Sequence, residues 1–122
     1  MFWKIFAILF LGVQMFANEE APQYLYKILS KEDWIASQNQ EHLQLPAADE
    51  AFIHFSLENQ VERIVAKYWN GVPEFFVLKI DPKKLPGKMV FETNPGGSAK
   101  YYHLYEGAIP HNAIVESKAI HQ

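Results

Sequence analysis

The segment FIHFS, residues 52–56, is followed without a break by LENQVERIVAKYWNG, residues 57–71. Side chains alternate across a β-strand, so Ile53 and Phe55 would share one face while His54 points to the other. The pattern therefore predicts a strand that buries an apolar face and runs directly into a helix. The histidine on the opposite face is the first candidate functional residue.

The segment after this strand has the spacing of an amphipathic helix. Its apolar residues recur mostly three or four positions apart, which places them on one side of a helix: Leu57, Val61, Ile64, Val65 and Tyr68. Asn70 and Gly71 end the segment with a residue pair suited to a left-handed helix cap. Ser56 has two interpretations in this setting, as the N-cap of the helix or as a ligand-binding hydroxyl.

Other patterns along the chain predict further strands and a second helix. Ser30, with Asp33 three residues on, is predicted to cap a short helix, KEDWIASQ. EFFVLKI, residues 74–80, is nearly continuously apolar, which predicts a central strand covered on both faces. The remaining predicted strands are residues 24–29, 88–93, 101–105 and 112–117. This order of elements predicts a small single domain of the α+β class.

Composition narrows the class of protein. The 122 residues are 49% apolar, which is enough to build a hydrophobic core. The net charge is -3 and Lys and Arg form no cluster, so nucleic acid is not an expected partner. Because the chain has no cysteine, it can form no disulfide, thiolate nucleophile or thiolate metal site.

The N-terminal segment MFWKIFAILFLGVQMFA, residues 1–17, has the order of a secretory signal peptide. An early cation, Lys4, precedes an apolar run, and Ala17 precedes the polar leader NEEAPQ, residues 18–23. The apolar run is shorter than the roughly 20 residues that span a bilayer. We expect an exported protein, periplasmic or secreted, with no stable membrane span after cleavage. An uncleaved membrane tether is the alternative, because Met15 stands where a small residue is preferred.

Four motifs follow one another along the chain: LYKIL, DEAFIHFSLENQV, VLKID and HLYEG. Their order and spacing resemble those of a small bacterial family, the domain of unknown function 952. The resemblance covers residues 24 to about 115. We therefore expect a domain over residues 24–117 and a C-terminal tail over residues 118–122.

That family is similar to the ADP-ribosyltransferase fold, a split, mostly antiparallel sheet with two helices that binds NAD in the cleft between its halves. The resemblance implies that His54 lies in this cleft, beside a helix N-terminus that favours anions. It implies a nucleotide-like or other small anionic ligand, with NAD as a candidate cofactor, and a transferase-like or glycohydrolase reaction. The implied catalytic residues are His54, His103 and Glu92, with Glu106 as the other candidate for the glutamate that the fold requires. The implied ligand-binding residues are Tyr26, Lys27, Ser56, Gln60 and Tyr105.

The residues leave other functions open. A non-catalytic exported module that binds a peptide or cell-wall fragment fits the aromatic-rich composition and the lack of an unambiguous catalytic glutamate. A metal-binding protein would use His54, His103, His111 and Glu92, but these residues lack the compact spacing of a metal motif, and no metal site is predicted. His54 also has a purely structural interpretation, as a hydrogen-bond partner of a loop.

Overall fold

The computed structural model describes residues 21–122, and in this range the chain forms six strands and two α-helices. The strands are β1 (Leu25–Ser30), β2 (Ile53–Phe55), β3 (Glu74–Ile80), β4 (Lys88–Thr93), β5 (Lys100–Tyr105) and β6 (Ile114–His121). The helices are α1 (Lys31–Ser37) and α2 (Glu58–Tyr68), and short 3-10 turns cover Ala47–Asp49, Pro82–Lys84 and His111–Ala113. The predicted signal peptide and the first part of the predicted leader lie outside the described residues.

The strands form two antiparallel sheets of three strands each. One sheet has the order β1-β3-β6 and the other has the order β2-β5-β4. The prediction of a central strand at residues 74–80 is confirmed, because β3 is bonded on both edges. The α+β class and a divided, antiparallel sheet with two helices are also confirmed.

One backbone bridge joins the two sheets in the described part of the chain. Tyr26 N–H donates to the Ser56 carbonyl and Ser56 N–H donates to the Tyr26 carbonyl, each over 2.8 Å. Ser56 is therefore held in a backbone bridge just after β2, and its interpretation as the helix N-cap is wrong. The N-cap is Leu57, whose N–H donates to the side-chain oxygen of Gln60 over 2.9 Å.

The core comes mainly from the strands of both sheets and follows the alternation read from the sequence. Ile53 and Phe55 are buried, as predicted, while His54 between them is partly exposed. The core includes Leu25, Leu29, Leu43, Leu78, Ile80, Leu85, Met89, Tyr102, Leu104, Ile109 and Ala113. Burial of these apolar side chains is the main favourable term in folding.

The observed ends of α1, α2 and β6 can be compared with the ends predicted from the sequence. Ser30 Oγ accepts from Asp33 N–H over 3.1 Å, which confirms the predicted cap of α1. Gly71 has a φ of 82°, which confirms the left-handed residue after α2. β6 continues to His121, past the domain end expected at residue 117, because it remains paired with β3 as far as Glu74.

Among the described residues, no helix is both long and apolar enough to cross a membrane.

Candidate functional site

A cavity of about 550 Å³ opens beside His54. It lies between the strands β1 and β2, the 3-10 turn Ala47–Asp49, the C-terminal half of α2 and the start of β5. We call it the His54 cavity. Its polar lining residues are Lys27, Asp49, His54, Ser56 and Asn94, and its aromatic and apolar lining residues include Tyr26, Ile64, Tyr68, Trp69, Val72 and Tyr101. Apolar walls with a few convergent polar groups are typical of small-molecule sites.

Three polar side chains of this lining contact one another. Lys27 Nζ lies 2.5 Å from Asp49 Oδ2, and Asp49 Oδ1 lies 2.7 Å from His54 Nδ1. Lys27 also donates to the backbone carbonyl of His54 over 2.9 Å, and the His54 N–H donates to Asp49 Oδ1 over 3.3 Å. The three residues form a closed set, the Lys27–Asp49–His54 unit, in which the carboxylate holds both the cation and the imidazole.

The three members differ in burial. The side chains of Lys27 and Asp49 are only 6% and 2% exposed, whereas that of His54 is 36% exposed. The imidazole is therefore the member of the unit most open to solvent. No hydrogen bond from the described residues occupies His54 Nε2, so this atom is open to a ligand.

Burial and neighbouring charge shift the pKa values of Lys27 and Asp49 in opposite directions. Burial lowers the pKa of Lys27, and the neighbouring Asp49 carboxylate opposes this effect. Burial alone would raise the pKa of Asp49, but the hydrogen bond from His54 and the charge of Lys27 outweigh it, and the pKa is lowered. Asp49 is thus held as a carboxylate that fixes the His54 ring through Nδ1.

The strand pattern explains how a lysine comes to be buried here. Lys27 lies between Leu25 and Leu29 on the inward face of β1, because side chains two residues apart share a face. Its stem lies beside these core leucines, and its ammonium reaches the end of the 3-10 turn that carries Asp49. A buried charge requires a partner, so the lysine and the aspartate depend on each other.

A second group of polar residues lies next to this unit across the β2–β5 ladder. His54 and His103 are directly opposite residues of this ladder, and their rings are 5.2 Å apart. His103 is fully buried, and the Phe52 ring stacks on it with 4.1 Å between centroids. His103 Nδ1 lies 2.8 Å from Glu92 Oε2, and Nε2 lies 2.8 Å from Asn94 Oδ1. We call His103, Glu92, Asn94 and Tyr105 the His103 cluster.

The ionisation of this cluster is set by burial and short contacts. Tyr105 OH donates to the same Glu92 oxygen, and the bonds from Tyr105 and His103 lower the pKa of Glu92. Burial lowers the pKa of His103, and Glu92 opposes this effect. A neutral His103 donates from Nδ1 to Glu92 and accepts at Nε2 when the Asn94 amide presents its nitrogen. Asn94 thus connects the cluster to the His54 cavity, which it also lines.

The residues implied by the resemblance fall into three groups. Tyr26, Lys27, Ser56 and His54 line the His54 cavity. Glu92, His103 and Tyr105 bond together but are not among the residues that line it. Gln60 is buried, where it caps α2 and donates to the Lys100 carbonyl over 2.8 Å. The structure therefore brings four of these residues to one cavity and gives Gln60 a bonding role within the fold.

The sequence reading missed two residues that matter to the site. Neither Asp49 nor Asn94 is among the candidate site residues predicted from the sequence. The available signal for Asp49 was Lys27, because a lysine on the inward face of an apolar strand needs a carboxylate partner. No comparable signal pointed to Asn94.

The three histidines considered as metal ligands do not meet. His111 Nε2 lies 2.8 Å from the Ser37 carbonyl, in a different part of the fold from His54 and His103. Within residues 21–122, no group of three or more His, Asp or Glu side chains could hold a metal ion.

Solved structures of one bacterial protein are similar to this chain. The crystal structure of protein CC0527 from Caulobacter crescentus has a TM-score of 0.68 and 28% sequence identity, over 79% of this chain and 84% of that one. Its solution NMR structure has a TM-score of 0.66 and 28% identity, over 79% and 83% of the two chains. No curated protein matches the chain. Residues 28–117 match the family described as protein of unknown function (DUF952), and the chain belongs to this family.

Proposed function

We propose that this protein binds a small nucleotide-like molecule in the His54 cavity. The observation that carries the proposal is the position of the Lys27–Asp49–His54 unit, a nearly buried ion pair that orients an accessible imidazole at a cavity of about 550 Å³. Burying two charges costs several kcal/mol per ion before their attraction offsets it, so such a pair is weak evidence for a stabilising role alone. Its position at a cavity supports a role in binding.

The lining supports a ligand with a flat ring and polar edges. Tyr68, Trp69 and Tyr101 supply aromatic surface, and aromatic rings favour stacking or edge contacts with planar groups. His54 Nε2 supplies a donor or acceptor according to its protonation. Lys27 also lines the cavity, and its amine nitrogen lies beside Asp49 and donates to the His54 carbonyl, so it places a nitrogen donor at the cavity wall. A heterocycle or an anionic group fits these contacts.

A second function, acid–base catalysis, is favoured by the contact between Asp49 Oδ1 and His54 Nδ1. A carboxylate at Nδ1 fixes the tautomer and leaves Nε2 to exchange a proton with a ligand or a water molecule. The ADP-ribosyltransferase resemblance implies NAD as the substrate and glycosidic cleavage as the reaction. In this form of the proposal His54 is the acid–base residue, since Glu92 is bonded to His103 and Tyr105 and is not among the residues that line the cavity.

The proposed setting is outside the cytoplasm, because residues 1–17 have the order of a signal peptide. N-terminal sequencing of the protein recovered from the periplasm or medium is expected to begin near Asn18. Recovery of Met1 would contradict cleavage and favour the tether.

The binding proposal is tested by thermal shift of the purified protein with adenosine, AMP, ADP-ribose and NAD. At least one of these is expected to raise the melting temperature, because a ligand that binds only the folded state stabilises it. His54→Ala is expected to lose about 1.5–3 kcal/mol of binding, a loss of roughly ten- to a hundredfold in affinity.

The matched control is His42→Ala, which removes an exposed histidine outside the cavity lining and should leave binding unchanged. If the molecule raises the melting temperature of His54→Ala as much as that of the unchanged protein, it does not bind in the His54 cavity as proposed. A response to none of the four molecules would remove the nucleotide-like class. Incubation with NAD, followed by chromatography for released nicotinamide, separates binding from catalysis.

A further inference from the structure

We propose that Arg63 and Lys67 of α2, together with the loop over residues 94–99, form a subsite for a phosphate group of the ligand. This inference deepens the proposed function, since it assigns a second chemical group to the molecule in the His54 cavity. Its starting point is a second cavity of about 390 Å³, here called the Arg63 cavity. The two cavities share Ile64, Tyr68, Asn94 and Tyr101 as lining residues and therefore adjoin.

The charge of the Arg63 cavity has one sign. Its lining includes Arg63 and Lys67 and no Asp or Glu. These two residues are four apart on α2, so they lie on the same side of the helix. Neither forms an ion pair with a carboxylate in the described part of the chain. Two cations without a protein counter-ion, at the edge of a cavity, favour an anionic group there.

The loop opposite these cations suits a phosphate group. Pro95, Gly96, Gly97, Ser98 and Ala99 all line the Arg63 cavity. Gly96 has a φ of +77°, and a Cβ built there would meet no atom within 4 Å, so the space beside it is open. Glycines let a backbone come close to a phosphate, and the Ser98 hydroxyl offers a further donor. Charge-assisted bonds from guanidinium and ammonium groups to phosphate are among the strong ones.

The connection between the two cavities indicates the class of ligand. Asn94 lines both cavities, and its amide is held by His103 over 2.8 Å. Tyr101 and Tyr68 also line both, so an aromatic surface continues from one to the other. A molecule with a heterocycle near His54 and a phosphate near Arg63 fits this arrangement. A nucleoside monophosphate has this combination of groups.

The first test uses inorganic phosphate alone, so that it does not depend on any contact in the His54 cavity. Phosphate is titrated into the ¹⁵N-labelled protein while the amide signals of Gly96, Gly97 and Ser98 are followed by NMR. We expect these signals to shift, and the shifts to be lost in Arg63→Gln/Lys67→Gln. The control is Lys83→Gln/Lys84→Gln, which removes two exposed lysines outside both cavities.

The second test compares AMP with adenosine by calorimetry. We expect AMP to bind roughly ten- to a hundredfold more tightly, and Arg63→Gln/Lys67→Gln to remove this difference. Phosphate-induced signal shifts that are absent, or that persist in this variant, would overturn the subsite. Binding of both AMP and adenosine with the same affinity would also overturn it. If neither molecule binds but the phosphate shifts depend on Arg63 and Lys67, the subsite stands and the nucleotide-like assignment of the His54 cavity fails.

Discussion

Replacing Lys27 by Met would leave Asp49 as a buried carboxylate without its cation. The methionine keeps most of the apolar stem of the lysine, so the change mainly removes the charge. Both side chains of the pair are nearly inaccessible, 6% and 2% exposed, and solvent therefore screens the loss little. Breaking a buried pair from one side costs about 3–5 kcal/mol. A domain has only about 5–15 kcal/mol of stability in total, so the variant would be close to unfolding.

The pH dependence of this variant follows from the same contacts. In the unchanged protein the pKa of Asp49 is lowered, so its contribution to stability is present above the ordinary aspartate range and is lost as pH falls through the lowered pKa. In Lys27→Met the charge of Lys27 is gone and burial acts to raise the pKa of Asp49. The hydrogen bonds from His54 still oppose burial, but without Lys27 the folded variant would take up a proton at Asp49 more readily than the folded unchanged protein does. Its deficit relative to the unchanged protein should shrink as pH falls.

Urea unfolding at pH 7 and pH 5 measures these free energies, with two further variants for comparison. Lys27→Met/Asp49→Leu removes both charges and should recover most of the loss, because apolar replacement of a whole buried pair is often neutral. Lys31→Met breaks a more exposed ion pair, in which Lys31 Nζ lies 3.1 Å from Glu74 Oε1. This change should lower the free energy of unfolding by less than about 1 kcal/mol. A Lys27→Met protein within about 1 kcal/mol of the unchanged one would refute the reasoning. So would a double variant no more stable than the single one.

Three other predictions concern residues around the site. Burial lowers the pKa of His103 from 6.5, so below pH 6.5 the unfolded chain binds the proton more readily and the stability of the folded protein should fall. In His103→Gln the midpoint of urea unfolding should therefore vary less between pH 7.5 and pH 5. The same variation with pH in the variant and the unchanged protein would contradict this. Gln60→Ala should cost about 1–3 kcal/mol in urea unfolding, because Leu57 N–H and the Lys100 carbonyl lose their partner, while ligand affinity stays the same. Gly87→Ala should lower the melting temperature clearly, because φ is +117° and the new Cβ would lie 2.7 Å from a backbone oxygen; a melting temperature within error of the unchanged protein would count against this geometry.

Local patterns predicted most of the fold because they depend on neighbouring residues. The continuous apolar run at residues 74–80 is β3, and the alternation at residues 52–56 placed His54 away from the core. Ser30 caps the start of α1 with its hydroxyl oxygen, and Gly71 takes a positive φ just after the end of α2. These features need only the period of the side chains and the dihedral preferences of the caps.

The site was less predictable because its contacts join distant parts of the chain. Asp49 is 22 positions from Lys27, and nothing in its own segment shows that it becomes buried. The contact between His103 and Glu92 depends on the register of β4 with β5, which pairs His103 with Val90 and places Glu92 at a diagonal position. Once that register is known, the contact follows. A single sequence supplies no such register.

The bridge between Tyr26 and Ser56 joins the backbones of the two sheets at one point among the described residues, so this point is the natural pivot for a change in the angle between the sheets. Two backbone hydrogen bonds of 2.8 Å act as the pivot, and both bridge residues also line the His54 cavity. Lys27, next to the pivot on β1, fastens this strand to the His54 carbonyl and to Asp49 beyond it. Because residues of both sheets line the His54 cavity, a rotation of one sheet against the other would change the width of the cavity. A molecule that binds in the cavity would contact residues of both sheets and would therefore oppose such a rotation.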